Sequence, residues 1–106
     1  MTTATVDAEA DGGHVRVTIK GEIDLANADV VQNEIYSSIG NDAERVSVDL
    51  TEVTYLDSSG LRVLFTLAGR LKVLQMDLDL VVAPASPVRR VMEMSGFEPL
   101  ARVRDR

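Results

Sequence analysis

The hydrophobic period changes once within residues 45–71, and this change constrains the fold more than any other feature of the chain. Val46, Val48 and Leu50 are apolar at every second position, between Arg45, Ser47 and Asp49. That alternation predicts a half-buried strand. Leu61, Leu64, Phe65, Ala68 and Leu71 follow at steps of 3, 1, 3 and 3, which is one face of a helix. Thr51 to Gly60, ending in Asp57-Ser58-Ser59-Gly60, reads as the connecting turn. A strand feeding a helix is the unit of an α/β domain. Such a turn places hydroxyls at a helix N-terminus, where backbone N–H groups lack partners and the dipole favours negative charge. Two readings of the turn stand side by side. Asp57 or Ser58 caps the helix and Gly60 permits tight packing, or a capping serine is presented as a phosphate acceptor over free N–H groups.

The flanking segments extend the pattern. A weak strand signal around Thr5 and Val6 precedes the turn Asp11-Gly12-Gly13, and Val15, Val17 and Ile19 alternate after it, predicting a hairpin. Asp24 is a suitable N-cap for a helix from about Leu25 to Ile39, with Ala28, Val31, Ile35 and Ile39 as its apolar stripe and Gly40-Asn41 as its end. The helix after the central turn runs to about Lys72 or Val73. Leu78 and Leu80 to Val82 predict a strand whose near-continuous apolar end implies burial on both faces. Pro84 stops it. Ser86-Pro87 opens a third helix, with Val88, Val91 and Met92 inward and Arg89 and Arg90 outward, and Gly96 closes it. Leu100, Ala101 and Val103 offer a last short strand. Phe65, Met92 and Met94 read as core or near-core residues. The predicted order is β-β-α-β-α-β-α-β, an α/β fold with a small mixed sheet and helices packed against it.

Composition narrows the function. With 106 residues, the chain reads as one domain spanning residues 1–106. A net charge of −6 argues against nucleic acid and anionic membrane as partners. No apolar run approaches the roughly 20 residues of a membrane span, and the start Met1-Thr2-Thr3-Ala4-Thr5 is not a signal peptide, so a cytoplasmic location is expected. There is no cysteine, hence no disulfide or thiol chemistry. No spacing signature for a metal or cofactor is present. An enzyme is not expected: Leu56 and Asp57 stand where a Gly-x-Ser-x-Gly elbow needs glycine, and the one histidine, His14, falls at the hairpin turn.

The run Val46 to Leu64, with Asp57-Ser58-Ser59-Gly60-Leu61, resembles the STAS domain of bacterial anti-sigma-factor antagonists. Gly21-Glu22-Ile23-Asp24 resembles the family's segment before its first helix, Pro84 to Ser86 with Val88-Arg89-Arg90 its entry to the third helix, and Met94-Ser95-Gly96-Phe97 that helix's end. The resemblance spans roughly residues 5–104. It implies a partner-switching module that binds an anti-sigma factor when unphosphorylated and thereby frees a sigma factor. The anti-sigma factor is also a serine kinase, and the position it modifies carries over to Ser58. A metal-dependent serine phosphatase reverses the step. The partner-facing set implied for this chain is Ile23, Asp24, Asp57, Ser58, Ser59, Gly60, Leu61 and Arg62. Arg62 departs from the family pattern, where glycine is common, and the sequence ends at Arg106 where many members continue into a fourth helix.

Overall fold

The computed structural model describes residues 3–96 and 102–105. Phe97, Leu100 and Ala101, invoked above, lie outside the described residues. Eight elements follow the predicted order: β1 (Ala4–Asp11), β2 (His14–Ile23), α1 (Ala28–Ser38), β3 (Arg45–Leu56), α2 (Ser58–Val73), β4 (Asp77–Val82), α3 (Pro87–Ser95) and β5 (Arg102–Asp105). The sheet has the spatial order β1-β2-β3-β4-β5. β1 and β2 form an antiparallel hairpin, and the other pairs are parallel. Each parallel step moves in the same direction along the sheet. The right-handed sense of such crossovers then sets α1, α2 and α3 on one face.

Side-chain alternation agrees with this two-layer arrangement. Val15, Val17, Ile19, Val46, Val48, Leu50, Leu78, Leu80 and Val82 are buried. They meet Val31 and Ile35 of α1, Leu64, Leu67 and Leu71 of α2, and Val88 and Met92 of α3 in one core. The intervening positions include Arg16, Lys20, Arg45, Asp49, Asp77 and Arg102, and form a polar opposite face. β4 is buried on both faces, as its near-continuous apolar end implied, but the second face is not wholly apolar. Its second face carries Asp79, 1% exposed, whose carboxylate accepts from Arg45 Nη2 at 2.8 Å and faces Arg102 Nε at 3.3 Å. The adjacent Ser47 is also buried, with its hydroxyl 2.7 Å from His14 Nε2. Met94 is 81% exposed, because it lies on the side of α3 away from Val88 and Met92.

Two further boundaries differ from the sequence reading. The segment Thr51 to Leu56 is strand, not turn. β2 keeps a strict alternation through Ile23, but β3 carries two extra residues against it. One falls between the pairs Thr18↔Asp49 and Lys20↔Glu52, the other between Gly21↔Val53 and Glu22↔Tyr55. Each bulge shifts the phase by one, so the buried series runs Val46, Val48, Leu50, then Val53, then Leu56. The Asp49 carboxylate satisfies Thr51 at the first bulge, accepting from its N–H at 2.8 Å and its hydroxyl at 2.7 Å. At the second, the Thr54 hydroxyl donates to the Gly21 carbonyl at 3.3 Å. Gly21 itself has φ 107°, and a Cβ there would stand 2.4 Å from the Thr3 carbonyl oxygen. Only glycine fits that approach.

α1 begins at Ala28, three residues later than expected, so Asp24 is not its N-cap. Residues 24–27 form a locked turn instead. The Asp24 carboxylate accepts from Ala26 N–H at 2.8 Å, and Asn27 Oδ1 accepts from Asp24 N–H at 3.0 Å. Asn27 Nδ2 donates to the Glu22 carbonyl at 2.8 Å. Asn27 occupies the cap position of α1, but its side chain is spent holding the loop to the end of β2.

Candidate functional site

The parallel pairing of β2 with β3 ends at Ile23↔Leu56, so both strands deliver their following residues to one end of the sheet. Asp57 N–H donates to the Ile23 carbonyl at 3.3 Å, joining the two exits. The Asp24 loop and the Asp57-Ser58 turn are thus neighbours although they are far apart in the chain. The bulges account for this: β3 needs two residues more than β2 to reach the same level.

Asp57 is the N-cap of α2, which decides between the two capping candidates. Its backbone is extended, and its Oδ1 accepts from Ser59 N–H at 2.8 Å and Gly60 N–H at 3.1 Å. The expectation that a group on Ser58 would meet free N–H groups is corrected here, because the carboxylate already holds those two donors. Ser58 is the first residue of α2 and is exposed. Ser59 and Leu61 are half-buried, and Arg62 is exposed one turn after Ser58. No ion pair to Arg62 is found among the described residues.

Two members of the implied partner-facing set do not face outward. Ile23 is fully buried in the core. Gly60 is buried too, and a Cβ on it would stand 2.5 Å from Leu56 Cδ1, 3.0 Å from the Ile23 carbonyl oxygen and 3.1 Å from Ile23 Cβ. Gly60 is required by the packing of α2 onto β2 and β3. Asp24, Asp57, Ser58, Ser59, Leu61 and Arg62 retain surface at this end. Sequence reasoning missed two apolar side chains, Leu25 at 78% and Tyr55 at 51% exposure. It also missed a groove of about 200 Å³ between the end of β3 and α3, lined by Thr54, Tyr55, Leu56, Pro87, Val88 and Val91. A hydrophobic residue read as helical (Leu25) or as turn (Tyr55) gives no warning that it will be left in solvent.

The arrangement does not assemble a serine nucleophile. His14 starts β2, and Ser58 follows the far end of β3, a strand length away. Ser47, the serine that does meet His14, lies within β3, and both oxygens of the nearby Asp79 are engaged by arginines. No cluster of three or more potential metal ligands occurs among the described residues. No described helix is long and apolar enough to cross a membrane.

Residues 5–106 match the STAS domain. The chain belongs to the STAS domain family. Among its STAS relatives is BtrV of Bordetella bronchiseptica, named for the anti-sigma factor antagonists, which is 34% identical over 86 residues, covering 80% of this chain and 72% of BtrV. Solved structures show the same fold. An anti-sigma factor antagonist from Mycobacterium paratuberculosis superposes with a TM-score of 0.84 at 22% identity, covering 96% of this chain and 86% of that one. The antagonist SpoIIAA of Bacillus is similar in both of its forms. The unphosphorylated form gives a TM-score of 0.77 at 20% identity, covering 96% of this chain and 88% of that one. The phosphorylated form gives 0.73 at 20% identity, covering 96% and 91%.

Proposed function

We propose that this single STAS domain is an anti-sigma-factor antagonist regulated by phosphorylation of Ser58. In the unmodified state it binds an anti-sigma factor that is also a serine kinase, and so frees a sigma factor. The kinase transfers phosphate to the Ser58 hydroxyl, which ends the complex. A metal-dependent serine phosphatase restores the hydroxyl. The protein acts in the cytoplasm as a binding module and not as an enzyme. The observation that carries this reading is the placement of Ser58: exposed, first in α2, and flanked by the Asp24 loop and by exposed Leu25 and Tyr55. The names of its relatives support the same partner class.

Phosphate adds about −1.5 to −2 charges at pH 7. Asp57 and the Asp24 loop make this end acidic already, so a partner surface complementary to the free hydroxyl meets added bulk and added like charge. Mismatch of that kind at an interface costs several kcal/mol. The test is a pull-down with the unmodified chain and with Ser58→Asp and Ser58→Ala, followed by incubation with the captured kinase and ATP and peptide mass spectrometry. The reading expects a kinase-like partner retained by Ser58→Ala, lost with Ser58→Asp, and phosphate on Ser58. A partner that binds all three equally, with no phosphate transferred, points to a sensor or scaffold without a switch.

A further inference from the structure

We propose that Arg62 is the internal counter-ion of phosphorylated Ser58, holding the phosphate along the outer face of α2. The inference rests on the regulatory reading above and adds where the phosphate goes. Asp57 already occupies the Ser59 and Gly60 N–H groups, so a phosphate cannot take them without displacing a carboxylate. The immediate surroundings are acidic: Asp57 on its own turn, and Asp24 from the loop that follows β2. Helical side chains four apart stand over one another, about 5–6 Å between Cβ atoms, and lean toward the N-terminus. Arg62 is four residues after Ser58 on the same exposed face, and its guanidinium has no ion pair among the described residues. An acidic group N-terminal to a basic one at this spacing is the favourable orientation. A guanidinium also matches phosphate through two parallel N–H donors. In the unmodified chain Ser58 offers only a neutral hydroxyl at this spacing, so the pair forms only upon phosphorylation. The consequence is a modified state that is anchored and partly neutralised, in which exclusion of the partner is chiefly steric.

The test uses the full chain with phosphoserine installed at position 58 by genetic encoding, which needs no kinase. Arg62→Gln is compared with the parent in the phosphorylated and unmodified forms. Arg62→Gln should lower the melting temperature of the phosphorylated form by about 2 °C more than that of the unmodified form. It should also raise the second phosphate pKa, read by phosphorus NMR, by roughly 0.3 pH unit. Arg62→Lys should recover part of both effects. Arg90 of α3, also exposed and without an ion pair among the described residues, is the control, and Arg90→Gln should leave the phosphate pKa where it is. Equal melting shifts in the two forms, an unmoved pKa, or an effect seen with Arg90→Gln instead would overturn the assignment. Because the phosphate is installed directly, those outcomes are separate from failure to find a kinase partner.

Discussion

Two glycines of α2 set up a prediction with an internal control. Gly69 is exposed in mid-helix, and a Cβ there meets nothing within 4 Å. Gly69→Ala should therefore show the plain helix-propensity gain, about 0.8–1 kcal/mol, or a rise of roughly 4–8 °C in melting temperature. Gly60→Ala carries a similar propensity gain at most, but its methyl meets Leu56 Cδ1 at 2.5 Å and Ile23 at 3.0 and 3.1 Å. Leu56 can swing aside. The Ile23 carbonyl cannot move freely, since it belongs to β2 and accepts from Asp57 N–H. Overpacking of this kind costs about 1–3 kcal/mol. The difference between the two variants isolates the clash, so Gly60→Ala should fall about 1–3 kcal/mol below Gly69→Ala in urea unfolding followed by circular dichroism. If Gly60→Ala gains as much stability as Gly69→Ala, the internal packing account of Gly60 is wrong.

Other expectations follow from the same geometry. Asp57→Ala removes the acceptor for two N–H groups and should cost about 1 kcal/mol, while Asp57→Asn keeps most of it; equal losses for both would contradict the cap. Asp79→Ala strips two half-exposed arginines of their shared carboxylate and should cost roughly 1–2 kcal/mol by urea unfolding, part of it lost in high salt. Phosphorylation of Ser58 should leave the circular dichroism spectrum intact while partner affinity drops at least tenfold, about 1.4 kcal/mol or more; loss of the helix signal would instead mean that α2 is disordered. Tyr55→Ser and Leu25→Ser should leave the melting temperature within a few degrees but weaken partner binding in a calorimetric titration, and full affinity in both would remove these side chains from the interface.

The hairpin, both later helices and their order were readable because period and punctuation agree there: Gly12-Gly13, Ser86-Pro87 and Gly96 mark their ends without competition. The start of α1 was misread because Asp24 has the residue type of a cap, and only the tertiary loop reveals that its carboxylate serves Ala26. The length of β3 was misread because a bulge is a local break in alternation, indistinguishable in one sequence from a turn. The site was legible as a motif but not as a surface. Asp57, Ser58 and Arg62 retain surface at the motif end, whereas Ile23 and Gly60 turn inward, a distinction that depends on how α2 seats on Leu56.

The paired bulges of β3 also bear on how a chain like this can change over generations. Loss of Thr54 alone would remove the second bulge and leave Tyr55 opposite Glu22 and Leu56 opposite Ile23, so Leu56 would still face the core. Loss of Thr51 at the first bulge would likewise leave Glu52 opposite Lys20 and Val53 opposite Gly21, with Val53 still inward. Loss of both would give β3 the strict alternation of β2 while Leu56 stayed opposite Ile23, so Ser58 would remain beside the Asp24 loop. A deletion at either bulge therefore keeps the phase and register of the residues after it, and the length from Asp49 to Ser58 can shorten by one or two residues in a descendant that keeps the site at the end of the sheet.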